Sequence, residues 1–336
     1  MTAHLIVEQA GAGVTVQDFG RKHFRGLGVP IGGALDPVLL AAANVLAGAP
    51  ESAAGLEILL AAPHLRVEAG TVRLGLAGAL TGVLTRANGA QSRVESWRGL
   101  VLRAGDTLAL RLARGPGYIG FAGGLDLPLA LGARATFLPA GFGGLNGRAL
   151  AKGDTLACAA AAGAECSAAP FLHERGPIRF IAGPQADRFP PESLERFATQ
   201  QWRIGADSDR MGMRLAGPPL IHGPAGANIV SDGVTPGAIQ IPGDGQPIVL
   251  RADCQTSGGY AKIGCVIAAD LGRLAHLLPG DGTDFAPVDH QIAAQARGDL
   301  HKNFALWRAS MKPCGEDWDQ GRLWSENLIS GATSGD

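Results

Sequence analysis

Leu100-Val101-Leu102-Arg103-Ala104-Gly105-Asp106-Thr107-Leu108-Ala109-Leu110-Arg111-Leu112 reads as strand, tight turn, strand. Residues 100–103 and 107–112 are strand formers, and Gly105-Asp106 supplies the reversal between them. The phrase returns as Ala151-Lys152-Gly153-Asp154-Thr155-Leu156 and as Leu278-Pro279-Gly280-Asp281-Gly282-Thr283. The two separations, 48 and 127 residues, are unequal, which fits a repeated barrel-edge device and not a solenoid period. Further short strands are predicted at 65–69, 72–76, 178–181 and 248–252. Glycine supplies 50 of 336 residues without a G-X-Y period, which points to many turns and to sheet.

Helices are few. Asp36-Pro37 offers an N-cap and an N1 proline for a helix over 38–46 that Gly48 stops. Others are predicted at 192–200, 267–278 and 289–308. The Ala- and Gly-rich stretch from 158 to about 175 reads as a linker. The expected organisation is an N-terminal β-rich domain over 1–165, a second over 175–310, and a tail over 311–336 carrying Trp318 and Trp324.

Apolar residues make up 46% and charged residues 18%, as in ordinary globular chains, and the formal charge is −1. That balance offers no basic field for nucleic acid or an anionic membrane, so neither is expected as a partner. Cysteines 158, 166, 254, 265 and 314 form neither a disulfide framework nor a zinc pattern, and reduced thiols are expected with no metal ligand set. The start lacks a signal-peptide pattern and no run suits a membrane span, so the expected location is the cytoplasm.

Some familiar motifs fail. Gly115-Pro116-Gly117-Tyr118-Ile119-Gly120 matches G-x-G-x-x-G, but Phe121-Ala122-Gly123-Gly124 cannot open the helix a dinucleotide needs. No lysine follows a glycine as a Walker loop requires, and neither H-E-x-x-H nor G-x-S-x-G occurs.

Polar residues concentrate between 205 and 262: Asp207-Ser208-Asp209-Arg210-Met211-Gly212-Met213-Arg214, then Ser231-Asp232-Gly233 through Pro247, then Ala252-Asp253-Cys254-Gln255-Thr256-Ser257-Gly258-Gly259-Tyr260-Ala261-Lys262. Gln240, Gln246, Asp253 and Gln255 flank apolar strands, which places them at strand ends near a cavity suited to an amide or ureide. Lysine is scarce, five against 24 arginines, and Lys262 stands near one of only two tyrosines, Tyr260. It reads either as a proton-handling group or as a solvated strand-end lysine. Asp209-Arg210 reads as a site pair or a turn-pinning ion pair, and Gly258-Gly259 as a plain turn or a close approach to ligand.

At these residues the chain resembles the biotin-dependent carboxyltransferase family, also called allophanate hydrolase subunit 2. The likeness runs through Thr15-Val16-Gln17-Asp18-Phe19-Gly20-Arg21, Gly33-Ala34-Leu35-Asp36, Leu56-Glu57, Gly117-Tyr118-Ile119-Gly120-Phe121, Phe142-Gly143-Gly144-Leu145-Asn146-Gly147-Arg148, Gly183-Pro184-Gln185 and the three polar segments. It spans about 10–290. Gly132-Ala133-Arg134-Ala135-Thr136 departs from the family's usual Gly-Ser-Arg-Ser-Thr by two hydroxyls.

The resemblance implies a mostly β protein of two barrel-like domains, the second cyclophilin-like. It implies the C-type subunit of an ATP-dependent 5-oxoprolinase, opening 5-oxo-L-proline to L-glutamate with an A-type subunit and a B-type (allophanate hydrolase subunit 1-like) subunit. The isolated chain is expected to be inactive and to bind no cofactor itself, ATP being used by the complex. The alternatives are a urea- or amide-carboxylating carboxyltransferase, served by biotin on another chain, and a non-catalytic regulator that binds a histidine-kinase inhibitor. For a planar amide or lactam substrate, the expected roles are positive charge or hydrogen bonds from Lys262 and Arg210, and a base from Asp232 or Asp253. Gln240, Gln246, Gln255 and Thr256 are expected to orient the amide, and Tyr260 to pack on it.

Overall fold

The computed structural model describes residues 2–314; Trp318 and Trp324 lie outside the described residues. The fold is mostly β with four helices: α1 (Pro37–Ala47), α2 (Pro191–Thr199), α3 (Leu271–Leu274) and α4 (His290–Ala309). Strands before residue 168, together with Lys312–Pro313, form a six-stranded and a seven-stranded sheet; those from Ile178 to Pro287 form a nine-stranded one. The first two sheets share one core. Leu5, Val7, Leu65, Val67, Leu108 and Leu110 from one meet Val14, Leu56, Ile58, Leu74, Leu102 and Phe121 from the other.

The nine-stranded sheet nearly closes on itself. Its end strands, Gly282–Thr283 and Phe285–Pro287, are separated in sequence by Asp284 alone, so the two edges lie within a residue or two of each other. Inside sit Phe180, Phe197, Trp202, Met213, Ile239, Val249, Ile263 and Phe285. Among the described residues, this is the barrel-like element of the fold.

All three Gly-Asp phrases adopt one geometry. Gly105, Gly153 and Gly280 have φ of 88°, 89° and 90°, and each following aspartate accepts from the backbone N–H three residues earlier: Asp106 from Arg103 (2.9 Å), Asp154 from Ala151 (2.7 Å), Asp281 from Leu278 (2.8 Å). Left-handed backbone suits glycine, and the carboxylate closes the turn from within.

Turns are only part of the glycine story. Gly120, Gly75 and Gly99 stand opposite one another on three adjacent strands, forming a bare row across the seven-stranded sheet. Helix α1 lies directly on that row: a Cβ on Gly75 would stand 2.1 Å from the Ala43 carbonyl oxygen, one on Gly99 2.3 Å from that of Leu46, and one on Gly120 2.5 Å from that of Ala43. Asp36 caps α1, accepting from Val38 and Leu39 N–H at 3.1 and 3.2 Å. Residues Leu39 to Ala47 are all buried, because the sheet covers one side of α1 while Phe171 and, from α4, Phe304 and Trp307 cover the other.

Three sequence expectations need correction. The stretch placed in the linker from 158 begins inside the first sheets: Thr155–Ala159 pairs with Thr2–Gln9, and Cys166–Ser167 with Arg98–Arg103. Small side chains do not prevent a strand when Leu156 and Cys158 can alternate inward. The predicted helix over 267–278 is a 3-10 turn, Ala268–Asp270, and one turn of α3, because Arg179 takes both Asp270 oxygens and fixes that turn to the barrel. Helix α4, assigned to the second domain, is shared. Ala296 packs near Ile267, whereas Phe304 and Trp307 pack on α1, and Lys312–Pro313 adds a strand to the seven-stranded sheet.

Gly75→Ala is expected to lower unfolding free energy by about 2–3 kcal/mol, since backbone cannot yield as a side chain can. Gly298→Ala, on a helix face with nothing within 4 Å, is expected to raise it by about 0.5–1 kcal/mol. Urea denaturation of both variants reads the difference; equal effects would overturn the close-approach account.

Candidate active site

The outer face of the barrel gathers polar residues because side chains alternate across strands whose inner positions are apolar. Arg214 stands opposite Ile248, Ile248 opposite Gln240, and Gln240 opposite Lys262, a row across four strands. Their neighbours Met213, Val249, Ile239 and Ile263 point into the core. Gln240, Gln255, Tyr260 and Arg214 line a cavity of about 260 Å³ with Asp207 and Asp209.

Gln240 is 2% exposed, and its amide nitrogen has no hydrogen-bond partner among the described residues. Buried donors are ordinarily paired, so an unsatisfied one in a residue that lines the cavity stands out. Gly258 makes room for it: a Cβ there would stand 2.4 Å from Gln240 Nε2. Gly258 and Gly259 therefore belong to a strand, Ser257–Val266, and not to a turn.

Lys262, next to Gln240 in the row, is also buried. Its Nζ donates to Asp232 Oδ2 at 3.0 Å, and its backbone N–H donates to Gln185 Oε1 at 3.2 Å. The Lys262 hydrogen bond holds the half-exposed Asp232 carboxyl below the usual carboxylate range. Asp232 is thus an anchor for the ammonium and a poor base.

Arg210 and Asp253 lie elsewhere, between the N-terminal sheets and the barrel. Arg210 Nε and Nη2 donate to the two Asp253 oxygens at 2.7 and 3.0 Å, Nη2 also donates to the Gly33 carbonyl at 2.6 Å, and Nη1 donates to Glu57. Glu57 Oε2 accepts from the Tyr118 hydroxyl and the Leu35 N–H, both at 2.7 Å, while the Tyr118 oxygen accepts from the Asp36 N–H at 2.9 Å. Burial works against the charge on Arg210, but the Glu57 and Asp253 carboxylates outweigh it and hold the guanidinium firmly protonated. Burial and the Glu57 charge push the Tyr118 hydroxyl well above its ordinary value.

This corrects the roles expected for both residues. Arg210 makes four hydrogen bonds to protein acceptors and Asp253 has both oxygens on Arg210, so as they stand they form a brace between the two halves at a cavity separate from that of Gln240. Asp209, the expected partner of Arg210, instead accepts from Met211 and Gly212 N–H at 2.7 and 3.0 Å. Gln246 is also committed: its carboxamide bridges the N–H and C=O of Gly217 at 3.1 and 2.9 Å. Thr256 is outside the cavity lining, and its carbonyl accepts from Val234 N–H. Ala133 and Ala135, where hydroxyls were missing, are buried away from the cavity.

Sequence reading did not assign roles to Glu57, Tyr118 and Arg214. Glu57 had a signal, a lone charge inside the apolar strand Gly55–Ala61. Tyr118 had less, and Arg214 none beyond its crowded segment.

The chain belongs to the family described as carboxyltransferase domain, subdomain A and B, whose model matches residues 27–287. It is 36% identical over 315 residues to the C-type subunit of 5-oxoprolinase from Escherichia coli (strain K12), covering 90% of this chain and 98% of that protein. It is 30% identical to the urea amidolyase of Lachancea kluyveri, covering 87% of this chain and 17% of that protein. The Kluyveromyces lactis urea carboxylase structure superposes with a TM-score of 0.80 at 27% identity, over 90% of this chain and 29% of that one.

Arg210→Met is expected to cost about 3–5 kcal/mol of stability, because it leaves the Glu57 and Asp253 carboxylates buried without their shared cation. Urea unfolding measures it, and a loss under about 1 kcal/mol would show that the network is not the brace described.

Proposed function

We propose that this chain is the C-type subunit of a 5-oxoprolinase, working with A-type and B-type subunits in the ATP-dependent opening of 5-oxo-L-proline to L-glutamate. The observation that carries the choice is the match over 98% of the length of the C-type subunit of the Escherichia coli 5-oxoprolinase, against 17% of the Lachancea kluyveri urea amidolyase. The cavity supports the substrate class. A lactam resists attack because its nitrogen donates into the carbonyl, so a site must stabilise negative charge on oxygen and deliver a proton to nitrogen.

In this reading the unpaired Gln240 amide donates to the lactam oxygen. Lys262, held by Asp232, supplies positive charge beside it. Arg214 on the rim takes the ring carboxylate, and Tyr260 covers the flat face. Water adds to the carbonyl carbon, the ring C–N bond breaks, and the nitrogen leaves as an amine after gaining a proton. The nucleotide is handled by partner chains, the isolated chain is inactive, and the complex is cytoplasmic.

Co-expression with A- and B-type subunits is expected to give ATP-dependent glutamate release from 5-oxoproline. Gln240→Leu is expected to lower that rate about 10–100-fold while leaving the melting temperature unchanged or raised, since it removes an unpaired buried donor. Full activity in Gln240→Leu would remove the cavity from the mechanism. Carboxyl transfer from biotin to urea, with no glutamate formed, would favour the carboxyltransferase reading that the urea carboxylase likeness supports.

A further inference from the structure

Away from this cavity, three side chains distant in sequence converge beneath the start of α1. Asp36 Oδ2 meets His173 Nε2 at 2.6 Å and His276 Nε2 at 2.8 Å, and the three donor atoms lie within 4.8 Å of one another. Asp36 comes from the cap of α1, His173 from the segment joining the N-terminal sheets to the barrel, and His276 from just beyond α3.

We propose that Asp36, His173 and His276 form a binding site for a divalent first-row transition metal of the zinc type. Two imidazoles and one carboxylate are the donor set such ions take, whereas calcium and magnesium favour all-oxygen sites. The carboxylate is oriented in advance: Oδ1 is occupied by the Val38 and Leu39 N–H groups, which leaves Oδ2 facing the rings. His173 is held edge-on against Phe171, with ring centroids 5.5 Å apart at 88°. Asp36 is fully buried, yet no lysine or arginine is among its hydrogen-bond or ion-pair partners in the described residues.

With metal bound, the Nε2 lone pair of each ring would face the ion and the ring proton would sit on Nδ1. Metal–ligand bonds of about 2.0–2.2 Å in a tetrahedron put donors about 3.3 Å apart, so each ring must retreat by roughly half an ångström. His276 has room, because its side chain is 37% exposed and borders, with His173, a cavity of about 420 Å³ from which water can complete the coordination. Arg114, Arg175 and Arg273 line that cavity and oppose a cation. Arg114 is paired with Asp281 and Arg273 with Asp270, while Glu174 on the same wall pairs with Arg179, so the opposing charge that faces the cavity is mainly that of Arg175.

A metal here would join α1, the connecting segment and α3, one hydrogen bond from Tyr118 and hence from the Glu57–Arg210–Asp253 brace. The test uses the full chain, treated with chelator and dialysed, with Zn²⁺ alone as probe. Expected are about one zinc retained per chain after gel filtration, a melting temperature raised by several degrees with excess zinc, and visible d–d absorption on Co²⁺ substitution. The His173→Gln/His276→Gln double variant is expected to lose all three while remaining folded by circular dichroism. Should the double variant not fold, His276→Gln alone is expected to weaken zinc binding at least tenfold. No zinc retained by the wild type, or equal retention by the histidine variants, overturns the proposal. Neither result bears on glutamate release, so this site and the proposed activity stand or fall separately.

Discussion

One guanidinium is shared between two halves of the chain. Arg210, from a loop of the barrel, is gripped by Asp253 of the same half and by Glu57 from the N-terminal sheets, with Gly33 taking a further hydrogen. A buried charge of this kind is tolerable only when its donors find partners, and here those partners come from both sides. The relative placement of the two halves is therefore written in hydrogen-bond geometry as well as in apolar contact. The same segment that turns Arg210 inward leaves Asp209 and Arg214 facing the cavity on the outside.

From that constraint the rest follows in steps. Glu57 fixes Tyr118, whose oxygen accepts from the Asp36 N–H, and Asp36 caps a helix that lies backbone to backbone on three glycines. Helix α4 then seals α1, with the Trp307 indole N–H donating to the Ala169 carbonyl at 2.7 Å. On the barrel side, strand pairing sets Arg214, Ile248, Gln240 and Lys262 in one row, so that a carboxamide and an ammonium stand on neighbouring strands. Preorganised donors of this sort cost little to aim when a carbonyl oxygen arrives.

Chemical identity proved a better guide to proximity than to role. Gln240, Gln255 and Tyr260 do share a cavity, with Lys262 beside Gln240 in the row. Arg210 and Asp253 do meet, but they satisfy each other. The difference is one of orientation: alternate residues on a strand face opposite ways, and a residue's role changes with the side of the sheet it falls on. Gln246 carries the same functional group as Gln240, yet its carboxamide closes a loop on Gly217 while the amide nitrogen of Gln240 has no partner among the described residues.

Local chemistry was readable from the chain itself. The three Gly-Asp turns, the Asp36-Pro37 cap, the strand alternation and the polar segments between 205 and 262 are set by short-range sterics and hydrogen bonding, which neighbouring residues determine. What depended on the tertiary structure was every pairing across long separations: Glu57 with Arg210, the glycine row under α1, and Asp36 with His173 and His276. Residues 36, 173 and 276 follow no spacing rule, because only the packing of a helix cap, a connecting segment and a barrel turn brings them within a bond's reach.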